Sequence, residues 1–204
     1  MYRPNLTAEK SLWNKGINRI IGIDEVGRGS WAGPLVAAGV MLPKYFKIPT
    51  GLADSKQLSA KQREYFDTLI RSTAISYTIV KISHKIINKI GVGNATQIAF
   101  RNIVTKIKPE ADFILVDAFH IKYLPRSMQR AIKHGDRISA SIAAASIIAK
   151  VYRDKLMRKM AGKYPDYGFE NHKGYGTQMH QGAIRKHGFC EIHRTSYKLN
   201  FLFS

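Results

Sequence analysis

The sequence predicts an α/β protein in which a central sheet is covered by helices. Short apolar runs that are rich in β-branched residues alternate along the chain with longer segments of helical periodicity. No internal repeat, low-complexity tract or Pro/Ser-rich linker divides the 204 residues. We therefore expect a single domain that spans residues 1–204.

Four apolar segments have the length and composition of buried strands. The first ends in charge and glycine after Asp24, and the second is bounded by Pro34 and Pro43. The third contains several β-branched residues, and the fourth ends in the acid Asp117. Strands are accordingly predicted over residues 19–24, 35–42, 74–82 and 113–117.

Four helices are predicted between and after these strands. Ser59 and Gln62 form the S-x-x-Q pattern of a capping box, which favours a helix that continues to about Ser72. Further helices are predicted over residues 94–107, 139–163 and 178–186. The longest contains alanines that permit close packing on a sheet, and we expect its basic side chains to face solvent: Arg153, Lys155, Arg158 and Lys159.

The charge balance indicates a polyanionic partner. Lysine and arginine number 33 against 14 acids, which gives a net charge of +19. Such a field attracts nucleic acid, although a basic protein without that specialisation is the alternative. The only cysteine is Cys190, and no apolar run resembles a signal peptide or a membrane span, so we expect a cytoplasmic protein.

Four acids lie where strands or loops are predicted to end: Asp24, Glu25, Asp117 and Asp136. Phosphodiester hydrolysis needs an activated water and neutralisation of phosphate charge, and two Mg²⁺ or Mn²⁺ ions held by carboxylates supply both. Neighbours on a regular strand point to opposite faces, so we expect the chain to leave strand geometry directly after Asp24. An ordinary glycine-containing surface turn is the alternative for this segment.

Ordered motifs over about residues 19–197 resemble the ribonuclease HII family. The segment IGIDEVGRG at 21–29 continues to AGP at 32–34, and DSK at 54–56 and LVD at 115–117 follow. After these come GD at 135–136, SIAAASIIAKV at 141–151 and RD at 153–154. The C-terminal blocks YGF at 167–169, HKGYGT at 172–177 and HR at 193–194 are similar to those of the bacterial form.

The resemblance implies a ribonuclease H-like fold with a five-stranded mixed sheet flanked by helices, and a helical C-terminal region at about 160–197. It also implies that the four acids above are the catalytic and metal-binding residues. Asp24 is then the ligand shared by two divalent cations, Mn²⁺ or Mg²⁺, and Asp136 holds the second ion with the scissile phosphate. Asp154 is the rival fourth acid, but we favour an ion pair for it.

The resemblance further implies how substrate is recognised. Backbone groups of Gly27, Arg28 and Gly29 would reach the 2′-hydroxyl that separates RNA from DNA. Tyr175 would pack on the sugar next to the ribonucleotide and sense the RNA-to-DNA junction; a core or rim tyrosine is the alternative. The expected phosphate contacts, with simple solvated charge as the alternative for the lysines, are Ser55, Lys56 and Lys173.

The activity implied is that of an endonuclease that cuts the RNA strand of RNA/DNA hybrids. It would also cut 5′ of ribonucleotides embedded in duplex DNA and leave 5′-phosphate and 3′-hydroxyl ends. We expect these duplexes as partners, no membrane association and a monomer. A non-catalytic, basic RNA- or DNA-binding protein is the alternative, and binding without cleavage would identify it.

A zinc site is a second alternative, because His187, Cys190 and His193 lie close together, with His172 and His180 upstream. The segment lacks a full set of paired ligands at zinc-site spacing, so satisfied or surface histidines are favoured.

Overall fold

Helices and strands alternate along the computed structural model, which describes residues 3–202. Short 3₁₀ turns lie at Arg126–Met128, Gly135–Arg137, Pro165–Tyr167 and Asn200–Leu202. The helices and strands are, in order, α1 (Thr7–Trp13), β1 (Ile20–Val26), β2 (Leu35–Met41), α2 (Ala60–Thr73), β3 (Ser76–Ile82), α3 (His84–Lys106), β4 (Phe113–Asp117), β5 (Gln129–Ile132), α4 (Ala140–Lys163), α5 (Phe169–His172) and α6 (Gln178–His187).

The strands form one mixed sheet in the order β3-β2-β1-β4-β5. β1 pairs antiparallel with β2, and β2 pairs antiparallel with β3. β1 and β4 are parallel neighbours at the centre, and β5 extends the parallel part. The five-stranded mixed sheet that the resemblance implies is therefore confirmed, and the carboxyl ends of β1 and β4 lie at one edge.

Helices cover both faces of the sheet. Along β2, Val36 and Ala38 pack toward α1, α2 and α4, whereas Leu35 and Ala37 pack toward α3. The backbone of α4 lies directly on β1, because a Cβ built at Gly22 would be 2.1 Å from the carbonyl carbon of Ser141. None of the helices within residues 3–202 has the length and apolar character needed to cross a bilayer.

Most of the predicted helices and strands are confirmed, with shifted ends. β4 has the predicted bounds, and α4 begins after the N-cap Ser139 as expected. α3 begins ten residues before the predicted start at Asn94, because Ser83 caps a first segment that a break at Gly91 (φ 77°) separates from the rest. Neither α1 nor β5 was predicted, since one is short and polar and the other is a four-residue edge strand.

The expectation that Arg153 faces solvent is wrong. Its side chain is fully buried and donates hydrogen bonds to the carbonyl oxygens of Pro34 and Lys173, both at 2.9 Å. The other basic residues predicted on the outer face of α4 are exposed: Lys155, Arg158 and Lys159.

Candidate active site

The fold brings Asp24 and Asp117 to the same edge of the sheet. Asp24 lies near the end of β1, and Asp117 is the last residue of β4, its parallel neighbour. Asp136 lies on the 3₁₀ turn that precedes α4. The N–H of Gly135 donates to Oδ1 of Asp117 at 2.7 Å, which ties this turn to the end of β4.

Asp24 and Glu25 reach the same cavity although β1 does not end between them. The strand continues to Val26, so the expected departure from strand geometry directly after Asp24 is wrong. The carboxylate of Asp24 instead turns along the strand, and its Oδ1 accepts the N–H of Glu25 at 2.7 Å. Neighbouring side chains can therefore share a site without a break in the strand.

A cavity of about 440 Å³ opens at this edge. It contains the expected site residues except Asp136 and Lys173. Its walls are formed by Asp24, Glu25, Val26, Gly27, Arg28, Gly29, Ser55, Lys56, Asp117, Ser146, Lys150 and Tyr175.

Burial and the charges of neighbouring acids raise the pKa values of Asp24, Glu25 and Asp136. Burial raises the pKa of Asp24 well above its usual value, and the charges of Glu25 and Asp117 raise it further. Burial also raises the pKa of Glu25 to about 7, although the nearby charge of Arg28 opposes the shift. The pKa of Asp136 is raised by burial first and then by the charges of Asp54 and Asp117.

Two cations lie beside these acids. Arg28 approaches Glu25 at 3.6 Å, and Lys56 approaches Asp136 at 3.9 Å. Most of the Lys56 side chain (77%) is exposed, whereas that of Asp136 is buried, so the lysine can leave the carboxylate without opening the fold. Negative charge at the base of the cavity is thus surrounded by basic groups that face solvent.

The glycine loop after β1 is packed on α4. Gly27 has φ 89°, and a Cβ there would lie 2.3 Å from Nε of the buried Arg153. A Cβ at Gly29 would meet no protein atom within 4 Å, and Gly29 is itself part of the cavity wall. Gly27 is therefore required by the packing, and Gly29 leaves space for another molecule.

Tyr175 and Lys173 differ in where their side chains lie. Tyr175 is on the cavity wall, and the guanidinium of Arg153 lies 5.4 Å from its ring centroid. Nζ of Lys173 donates to the carbonyl oxygens of Glu170 and Asn171 instead of facing the cavity.

Sequence reasoning missed two polar residues of the cavity wall, Ser146 and Lys150. The hydroxyls of Ser146 and Ser55 are 2.9 Å apart, and Nζ of Lys150 lies 2.9 Å from Oδ1 of Asp154. Ser146 and Lys150 are four residues apart in an otherwise apolar stretch of α4, so they share one helix face. That i, i+4 spacing is the signal that could have found them.

Asp154 lies outside the cavity wall. It is buried and paired with Lys150, with Arg63 at 3.9 Å on its other oxygen. The ion pair favoured for it is therefore present, although it is buried and not on the surface. Across residues 3–202, no three His, Cys, Asp or Glu side chains are arranged closely enough to hold a metal ion as they stand.

The histidines considered for zinc are engaged with one another and with the backbone. Nε2 of His180 lies 3.1 Å from Nε2 of His193, and Nδ1 of His193 lies 2.8 Å from the N–H of Cys190. His187 is exposed at the end of α6. Nε2 of His180 and both ring nitrogens of His193 are therefore already engaged by protein groups.

Comparison with known proteins identifies the family. The family model described as ribonuclease HII matches residues 21–200. The chain belongs to the ribonuclease HII family. It is therefore a ribonuclease H, an endonuclease that acts on RNA/DNA hybrids. Ribonuclease HII of Ruminiclostridium cellulolyticum is 46% identical over 197 residues, a match that covers 97% of this chain and 76% of that relative.

Solved structures show the same fold. Ribonuclease HII of Archaeoglobus fulgidus, solved in complex with PCNA, superposes with a TM-score of 0.77 at 24% identity and covers 91% of this chain and 97% of that one. Bst-RNase HIII in complex with Mn²⁺ gives a TM-score of 0.65 at 19% identity, and the match covers 91% of this chain and 68% of that one. At these identities the likeness establishes the ribonuclease H-like fold alone.

Proposed function

We propose that the chain hydrolyses RNA/DNA hybrids and also cuts 5′ of ribonucleotides embedded in duplex DNA, with two divalent cations held by Asp24, Glu25, Asp117 and Asp136. The observation that carries this proposal is that the carboxylates of Asp24, Glu25 and Asp117 converge on one cavity with basic side chains on its wall, where burial and mutual repulsion raise the pKa of Asp24. Such an arrangement is costly unless cations join it.

The chemistry of the acids fits hard divalent cations. Oε2 of Glu25 is buried and, within the described residues, has no hydrogen-bond partner, so it is available to a ligand. We propose Asp24 as the ligand common to both ions, and Asp136 as the one beside the scissile phosphate. Bound Mg²⁺ or Mn²⁺ would supply activation of water and neutralisation of phosphate charge, and Bst-RNase HIII has been solved with Mn²⁺.

The surrounding residues bind and orient the duplex. Ser55 and Lys56 present a hydroxyl and an ammonium group to the cavity, where phosphates would be held, and Lys150 lies on the same wall with its ammonium bound to Asp154. Lys173 is a weaker candidate for this role because its ammonium is bound to nearby carbonyls. Hydrolysis on the 5′ side of the ribonucleotide leaves a 3′-hydroxyl upstream and a 5′-phosphate on the RNA-containing product.

The loop of Gly27, Arg28 and Gly29 gives a basis for selecting RNA. The open space at Gly29 lets a sugar approach the backbone, whose polar groups can bond a 2′-hydroxyl. Tyr175 faces the same cavity, where its ring can pack on the neighbouring sugar. Together these groups would distinguish a ribonucleotide followed by DNA from uniform DNA.

The non-catalytic alternative is disfavoured by the same cavity. A protein that only binds nucleic acid gains nothing from carboxylates where phosphates must approach, because they repel the ligand. We also propose that residues 1–204 act as one catalytic domain and as a monomer, with the C-terminal segment packed against α4 through Met157 and Phe169.

Asp24→Asn tests the assignment of the acids. Turnover of hybrid and of single-ribonucleotide duplex should fall by about a thousandfold or more in both Mg²⁺ and Mn²⁺, because several kcal/mol of charge stabilisation are lost. Duplex binding should be equal or tighter, since one repulsive charge is removed. Initial rates and the positions of cut ends would be measured on matched duplexes with no, one or several ribonucleotides.

Asp166→Asn is the matched control, because Asp166 is exposed and lies outside the cavity. It should cleave at the parent rate. Near-normal cleavage by Asp24→Asn would refute the proposal, and binding without cleavage by the unsubstituted protein would favour the non-catalytic alternative.

A further inference from the structure

Three imidazoles form a buried chain behind the cavity wall. His172, His180 and His193 are 8%, 0% and 1% exposed. The rings of His172 and His180 stack with centroids 4.4 Å apart and an interplanar angle of 16°. Nε2 of His180 lies 3.1 Å from Nε2 of His193. This cluster, which we call the histidine chain, includes none of the acids of the active site.

The hydrogen bonds of the histidine chain have a defined direction. Nδ1 of His193 lies 2.8 Å from the backbone nitrogen of Cys190 and 3.1 Å from the carbonyl oxygen of the same residue. Because the backbone N–H can only donate and its contact is the shorter one, we assign the lone pair to Nδ1 and the proton of the neutral ring to Nε2. His193 then donates to Nε2 of His180. The remaining proton of a neutral His180 is on Nδ1, which donates to the carbonyl oxygen of Tyr175 at 3.0 Å.

His172 is hydrogen-bonded to the backbone of Gly174, the residue before Tyr175. Its Nδ1 accepts the N–H of Gly174 at 3.1 Å, and its Nε2 donates to the carbonyl oxygen of Tyr167 at 2.7 Å. All three rings are thus neutral, in agreement with burial that lowers the pKa of His180 and of His193 to about 4.

The backbone around Tyr175 is fixed from several sides. The N–H of Trp31 donates to the carbonyl oxygen of Gly174 at 2.8 Å, and Arg153 donates to that of Lys173 at 2.9 Å. Within the histidine chain, His172 accepts the N–H of Gly174 and His180 donates to the carbonyl oxygen of Tyr175. The position of the Tyr175 ring on the cavity wall is therefore set by its backbone.

We propose that His172, His180 and His193 are positioning residues that fix Tyr175 against the sugar of the substrate and so set the preference for a lone ribonucleotide over a long hybrid. This inference rests on the role proposed above for Tyr175. Imidazole suits the task because one rigid ring accepts at one edge and donates at the other. None of the three histidines is part of the cavity wall described above.

His180→Leu tests the proposal, and His180→Asn is its conservative counterpart. Leucine removes the bond to Tyr175, whereas the asparagine amide lies near the position of Nδ1 and can still donate to that carbonyl. We expect His180→Leu to lower kcat/KM for a single-ribonucleotide duplex by about tenfold or more, since small misplacements of a positioning group are costly. Activity on a long hybrid should change little, and His180→Asn should recover most of the loss.

A double variant separates positioning from general damage. If His180 acts through Tyr175, then His180→Leu with Tyr175→Ala should cleave as Tyr175→Ala does alone, because the two changes remove the same interaction. Additive losses, or equal losses on both substrates by His180→Leu, would overturn the positioning role. A Tyr175→Ala variant that impairs both substrates equally would instead overturn the proposed junction sensing, on which the inference depends.

Folding of each variant would be checked by circular dichroism and thermal unfolding. Should His180→Leu fail to fold, His193→Met and His193→Gln make the same comparison one ring further from Tyr175. Methionine cannot donate to Nε2 of His180, whereas the glutamine amide can. A greater loss of kcat/KM with methionine on the single-ribonucleotide duplex supports the positioning role of the histidine chain. Equal kcat/KM values for the two variants contradict it.

Discussion

At the residue scale, Arg153 joins the two segments that are proposed to recognise a ribonucleotide. Its guanidinium donates to Oγ of Ser30 at 2.7 Å and to the carbonyl oxygen of Pro34 at 2.9 Å, on the segment after β1. It also bonds the carbonyl oxygen of Lys173, two residues before Tyr175. Burial lowers the pKa of Arg153 to about 10, so the group remains charged at neutral pH.

Arg153→Met should reduce the free energy of unfolding by about 3 kcal/mol, because the change leaves several buried carbonyl oxygens without their charged donor. Urea unfolding monitored by circular dichroism measures this. Arg158→Met, on the exposed side of the same helix, is the control and should cost less than about 1 kcal/mol, since its ion pair with Glu64 is solvent-exposed. Equal losses in the two variants would contradict the role assigned to Arg153.

Sequence reasoning reached the residues whose signal is local. Asp24, Glu25 and Gly27 were identified from one short segment, and the cavity contains all three. The sequence predicts an exposed Arg153 because this residue lies among other basic residues of α4, and nothing nearby in sequence indicates its burial. Its partners are more than 100 residues earlier or 20 residues later, so its environment exists only in the folded chain.

At the element scale, the start of α2 holds one side of the cavity. Ser59 and Gln62 form a complete capping box, with bonds of 3.2 Å and 2.9 Å between side chain and backbone. The guanidinium of Arg63, in the same turn, donates to the carbonyl oxygen of Ser55. The hydroxyl of Ser55 in turn contacts the hydroxyl of Ser146 on α4. The cap therefore stabilises both the helix and the loop that presents Ser55.

Ser59→Ala should lower the free energy of unfolding by about 1 kcal/mol, the usual cost of a lost N-cap bond. Ser72→Ala is the control, because Ser72 is an exposed residue in the last turn of the same helix. It should change stability by less than about 0.5 kcal/mol. Chemical denaturation of both variants compares them, and a loss no larger than that of Ser72→Ala would show that the cap contributes little.

The elements could be predicted where the chain carries a cap or a clear apolar run. The capping box of α2 and the apolar run of β4 are examples, and both were located closely. α1 has no such signal, because what holds it is a long-range contact. Buried Glu9 accepts hydrogen bonds from Ser139 and Ser141 at the start of α4.

At the scale of the whole molecule, strand order could not be derived from periodicity. The pattern of apolar runs gave four strands and a layered α/β class, and only the family resemblance implied the fifth strand and the mixed sheet. That order matters for the site, because it makes β1 and β4 parallel neighbours and so brings Asp24 beside Asp117.

The net charge of +19 acts over the whole surface, whereas the acids of the site are few, with Asp24 and Asp136 buried and Glu25 and Asp117 half-buried. Long-range attraction of a duplex therefore does not require that every lysine touch it. Contacts with phosphates release counterions and can be distinguished from general attraction by the salt dependence of binding.

Duplex binding should weaken steeply as the salt concentration rises. A lysine at the cavity should contribute to the slope of log K against log salt, whereas a lysine far from the cavity should not. On an Asp24→Asn background, which prevents cleavage, Lys56→Gln should reduce the slope of log K against log salt by about 1, because one phosphate contact is lost. Lys106→Gln is the control, since α3 ends there, close to the starts of β1 and β4 and away from the cavity. Fluorescence anisotropy between low and physiological salt measures both slopes. Equal slopes in the two variants would mean that Lys56 acts only through the general field of the protein, and a flat dependence in the parent would exclude phosphate contacts as the main source of affinity.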